Sequence, residues 1–142
     1  MATIPAASCS RDDVNTAIGL ATNGDTVTIP AGSATWASGL SYSKAIHLVG
    51  AGIDSTNITL PTTANGIAVT GSEGNQFTVS HMTLVSTTAS YKGIYIFGTC
   101  KNFRIHHMKF NGQQSTGAYC PINVCYENSA TDYSFGLIEN CT

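Results

Sequence analysis

The sequence predicts an all-β fold: a β-solenoid of about five coils with one short α-helix capping its N-terminal side. Three observations predict it. FTVSHMTL (77–84) returns as FRIHHMKF (103–110), which places His81 and His107 26 residues apart. GIAVTG (66–71) and GIYIFG (93–98) stand 27 residues apart, and each precedes one copy of the longer motif. A weaker third copy, IENCT (138–142), starts 33 residues after Ile105 and stops before a residue matching Phe110. Units of this length do not bury an apolar face alone and gain a core by stacking on their neighbours, so an unfinished last coil is expected to leave an open edge.

The elements follow in order. Ser10 can cap a helix over 11–22, with Asp12 and Asp13 in its first turn and Val14, Ala17, Ile18 and Ala21 on one face. Asn23-Gly24 then ends it. From residue 25 onward the apolar period changes to two: TVTI, AIHLV, NITL, GIAVTG, FTVS, GIYIFG, FRIH and PINV are short β-rich runs separated by Gly, Pro, Asn, Ser and Thr. No second helix is expected. Strands recurring once per unit suit a stack in which each lies about 4.8 Å from its equivalent, better than they suit a Greek-key sandwich.

Composition narrows the class. A chain of 142 residues that is 42% hydrophobic and 10% charged is expected to form one folded domain over 1–142. A net charge of −2 offers no broad basic field, so no nucleic-acid partner is expected. No apolar run approaches the roughly 20 residues of a membrane span, and MATIPAASCS lacks the basic start and apolar core of a signal peptide. Thr, Ser, Asn and Gly dominate the polar positions, a composition suited to an extracellular setting.

With SCSRDDVNTAIGLATNGDTVTIPAGSATW, KAIHLVGAG, FRIHHMKF and GLIENCT on the page, the chain resembles the pectin-lyase-like right-handed parallel β-helix proteins over nearly its whole length. The resemblance implies a right-handed parallel β-helix. It also implies Ile94, Ile96, Phe103, Ile105, Met108 and Phe110 pointing inward, and a polar bend ladder formed by His81, His107 and Asn140. It further implies a polysaccharide partner and an extracellular or virion-associated location, with this chain forming the N-terminal part of a lyase-, hydrolase- or tailspike-like protein. The Asp pairs with HG and RIK motifs of polygalacturonase-like members are missing here, as are the calcium-binding acids of pectate-lyase-like members, so no catalytic residue is assigned.

Other chemistry is sparse. Alternation would send His106 and His107 to opposite faces, so they are not expected to share a metal ion. Cys9, Cys100, Cys120, Cys125 and Cys141 form no CxxC pair and are expected as buried thiols or one disulfide, with no metal and no cofactor. P-loop, dinucleotide and nucleophile-elbow patterns are missing. Arg104, His106, Lys109 and Glu139 are expected to form a charged outward face.

Two functional expectations belong to different classes. In the first, Tyr95 and Phe97 alternate outward from Ile94 and Ile96, and Asn123 follows Tyr95 one coil on. Tyr119, Tyr126, Glu127 and Asp132 flank them in a lengthened loop, and the whole forms a carbohydrate-binding surface. Aromatic rings pack on the C–H faces of sugars while amides bond their hydroxyls. In the second, the open C-terminal coil pairs with another chain, giving a homo-oligomer or end-to-end assembly.

Overall fold

The computed structural model describes residues 1–71, 76–87, 92–98, 100–112, 121–124 and 135–142. Helix α1 (Arg11–Leu20) begins as the sequence predicts. Ser10 has extended φ and ψ of −64° and 149°, and its hydroxyl accepts from the Asp13 N–H at 3.3 Å. Val14, Ala17 and Ile18 are the buried stripe. The helix ends two residues before the expected Thr22 because other groups claim its last turn. Lys44 Nζ donates to the Ile18, Gly19 and Ala21 carbonyls at 2.7–2.8 Å. The Asp25 carboxylate accepts from both the N–H and the hydroxyl of Thr22. No helix among the described residues is long and apolar enough to cross a membrane.

Beyond this helix, which packs on the strands Thr3–Pro5, Thr26–Ile29 and Leu40–Tyr42 at one end, the chain winds as a parallel β-helix of about 4 turns. Strands β1 (Thr3–Pro5), β2 (Thr26–Ile29), β5 (His47–Gly50), β8 (Thr78–Ser86), β10 (Lys101–Gly112) and β12 (Phe135–Glu139) pair in that order, all parallel. The second halves of β8 and β10 continue around a bend; there β8 pairs with β6 (Thr56–Thr59), which in turn pairs with β3 (Gly32–Thr35). A separate sheet is built from β4 (Leu40–Tyr42), β7 (Ile67–Thr70), β9 (Ile94–Phe97) and β11 (Ile122–Val124). The sequence reading expects about five coils; the structure has about four turns, with β1 standing before the helix at one end of the stack and β11 with β12 forming the last coil at the other.

Parallel register turns the repeat into columns of identical chemistry. Val27, Leu48, Val79, Ile105 and Ile138 stand one above another, as do Leu40, Ile67, Ile94 and Ile122. Val27, Leu48, Val79 and Ile105 are completely buried, whereas Ile138, the last of its column, is 46% exposed. Each apolar side chain is thus covered by its neighbours in the stack, and burial of this kind supplies about 25 cal/mol per Å². Of the residues expected inward, Ile94, Ile96, Phe103, Ile105 and Met108 are buried, and Phe110 is partly buried against the same core. Cys9 and Cys100 are buried cysteines and Cys141 is a partly buried one, while Cys120 and Cys125 lie outside the described residues.

Candidate functional site

Two places on the outside of the solenoid gather chemistry, one on each sheet. On the smaller sheet, β9 puts Ile94 and Ile96 into the core and turns Tyr95 and Phe97 outward, as period-two alternation requires. Their rings stack at a centroid distance of 5.4 Å and an angle of 24°. The Lys92 ammonium lies 6.0 Å from the Tyr95 ring centre. Neither ring is fully exposed, as the alternation pattern alone would have them; each covers part of the other. Tyr95 stands in register with Ala68 on the preceding coil and with Asn123 on the next, and Phe97 stands beside Thr70. Small residues on one side and an amide on the other therefore frame the aromatic pair as a shelf. Tyr119, Tyr126, Glu127 and Asp132, expected to flank it, lie outside the described residues.

The larger sheet carries the second place, at the bend within β8 and β10. His81, His107 and Asn140 occupy this bend on successive coils, and all three adopt the left-handed conformation, with φ of 59°, 51° and 51°. The cost of that conformation is lower for Asn and His than for most residues. Beneath His81 the preceding coil has Gly50, where an added Cβ would sit 2.3 Å from the His81 carbonyl oxygen.

This bend overturns one expectation. Adjacent residues face opposite ways only while the strand stays extended. At His107 the left-handed residue breaks the alternation, so His106 and His107 lie on the same side between inward Ile105 and Met108. The Nδ1 atoms of His106 and His107 are 2.9 Å apart. The His81 ring lies parallel to that of His107, 2° from coplanar orientation at 4.8 Å, and the His106 ring meets both edge-on at 5.3 and 5.1 Å. One possible ligand atom from each of the three lies within 4.8 Å of the other two. His81 Nδ1 is buried and has no hydrogen-bond partner among the described residues; an unpaired buried polar atom costs about 1–3 kcal/mol.

The expected charged face separates into pairs. Arg104 Nε donates to Glu139 Oε1 at 2.8 Å, and its NH2 group contacts the same oxygen. The Arg104 hydrogen bond is the main reason the Glu139 carboxyl is held below the ordinary carboxylate range. Lys109, beyond the bend, pairs with Asp54 two coils back at 2.6 Å rather than with Glu139. His106, in register with Ser80 and Glu139, belongs to the imidazole cluster. Burial first, and then the Arg104 cation and the neighbouring imidazoles, push its proton affinity down, which favours the neutral ring.

Comparison of the chain with protein-family models, curated proteins and solved structures gives no match. The geometry therefore carries the functional reading alone.

Proposed function

We propose that the chain is a carbohydrate-binding parallel β-helix of the pectin-lyase-like kind, acting outside the cell or on a virion surface, with the Tyr95–Phe97 shelf as its polysaccharide contact. The observation that carries this reading is the stacked pair of outward rings on a parallel sheet, bordered by Ala68, Thr70 and Asn123. A sugar ring laid on such a pair exchanges water for C–H contact with aromatic faces, while amide and hydroxyl neighbours fix its orientation. The Lys92 ammonium beside Tyr95 adds a cation that suits an acidic residue in the polymer.

Affinity electrophoresis through gels containing neutral or acidic polysaccharides tests the reading. At least one polymer should retard the native chain, and the Tyr95→Ala/Phe97→Ala variant, shown folded by circular dichroism, should run unretarded. No retardation in any gel, or equal retardation of the variant, would reject it.

A second reading rests on a different observation. Val124, Leu137 and Ile138 are 39%, 50% and 46% exposed on the terminal strands β11 and β12. Nearby, Phe110, Pro121, Ile122, Cys141 and Thr142 line an open recess of about 460 Å³. In this reading a second copy of the chain adds its strands to that edge. Light scattering should then show mass rising with concentration, and Cys141→Asp should suppress the rise; a constant monomer mass would remove this reading.

A further inference from the structure

We propose that His81, His106 and His107 form a binding site for one divalent late transition-metal ion of the zinc class. Imidazole nitrogens are preferred ligands of Zn²⁺, Cu²⁺ and Ni²⁺, whereas Ca²⁺ and Mg²⁺ take oxygen. The three rings come from two successive coils, and two of them from adjacent residues that only a left-handed bend brings to one side.

The distances suit an ion. Two nitrogens bound to zinc at about 2.0–2.1 Å are about 2.9 Å apart when at right angles and about 3.4 Å apart in a tetrahedron. His106 Nδ1 and His107 Nδ1 stand at 2.9 Å. With no ion, one of these two nitrogens must carry a proton for the other to accept, and that arrangement leaves His81 Nδ1 without a partner. A metal ion engages all three rings at once. The ligand atoms lie within 4.8 Å of one another, so the most distant pair closes by about 1.4 Å to reach tetrahedral spacing. His107 is exposed, which leaves its ring room to turn and leaves solvent access for a fourth ligand.

The surroundings do not oppose this. Arg104, a cation on the same strand, is already neutralised by Glu139, whose carboxylate is next to His106 in register, and Lys109 beyond the bend is paired with Asp54. The site lies on the larger sheet, whereas the aromatic shelf lies on the smaller one, so the two proposals stand or fall separately.

Isothermal titration of the tag-free full chain with Zn²⁺ alone tests it. One ion per chain is expected. His107→Asn and His106→Ser should each weaken binding at least tenfold. Both variants borrow residues that the fold already uses at equivalent positions, Asn140 one coil on and Ser80 one coil back. Melting in the presence of chelator should leave both folded. Should either variant fail to fold, Cu²⁺ bound to the native chain decides the matter: electron paramagnetic resonance should show three equivalent-strength nitrogen couplings. The absence of stoichiometric binding, or variants that bind as tightly as the native chain, overturns the proposal, as does a copper spectrum with fewer than three nitrogens. The three rings would then be a stacked ladder alone.

Discussion

Ile105 and Ile138 are the same residue in the same inward column on neighbouring strands, yet one is completely buried and the other 46% exposed. Replacing each by Ala should therefore have unequal effects. Ile→Ala removes three carbon groups, each about 0.8 kcal/mol when fully buried, or about 2.4 kcal/mol in transfer alone. At Ile105 the hole is closed by Val79 below and Ile138 above, so a cavity term adds to this and the loss should reach about 3–4 kcal/mol. At Ile138 about half the transfer term applies and no closed cavity forms, so the loss should be about 1 kcal/mol. Urea titrations read both as shifts of the midpoint at an unchanged slope. A falling slope in the Ile105 variant would mean that the coils on either side unfold separately. Equal losses at the two positions would refute the idea that stacking by the next coil is what buries each column.

Further outcomes follow from single contacts. The Asp25 carboxyl is drawn down to about 2, chiefly by the Ala2 N–H and then by the Thr22 N–H and hydroxyl. Because the folded value lies below the unfolded one, its contribution is complete above about pH 4 and fades as the pH falls towards 2. The urea midpoint of the native chain should fall through that window more steeply than that of Asp25→Asn. Lys44→Met removes the ammonium that holds three carbonyls at the end of α1, and should cost about 1–2 kcal/mol with loss of amide-exchange protection in that last turn. Gly71→Ala places a Cβ 2.8 Å from the Cys100 Cα, in reach of backbone that cannot swing aside; a large drop in melting temperature is expected, and an unchanged one would contradict the packing there.

Much of this architecture was legible because a solenoid repeats its signal. The 26-residue echo of FTVSHMTL in FRIHHMKF marked the coil, and the alternation in GIYIFG sorted core from surface correctly at Ile94 and Ile96. Strands β1, β3 and β4 escaped notice. TIP, GSAT and LSY are short and poor in β-branched apolar residues, and they become strands by stacking on β2, β6 and β7. Trp36 is likewise fixed by tertiary contact, buried with its indole N–H donating to the Cys9 carbonyl at 3.0 Å.

The imidazole cluster was missed for a different reason, and a signal for it existed. In both copies of the motif two polar residues separate the inward pair, Ser80-His81 between Val79 and Met82, and His106-His107 between Ile105 and Met108. Strict alternation allows only one. The extra residue is the trace of the left-handed bend, and applying the period-two rule across it assigned His107 to the wrong face. The pairing of Lys109 with Asp54 carried no such trace, since it joins residues 55 apart across two coils.

The carbohydrate reading is tested most directly by following the ring resonances of Tyr95 and Phe97 by saturation-transfer and chemical-shift titration with soluble oligosaccharides. The account predicts saturation passing from these two rings to sugar C–H protons, with shifts centred on Tyr95, Phe97 and Asn123. Binding that leaves those three unperturbed, or no binding to any oligosaccharide, would contradict it.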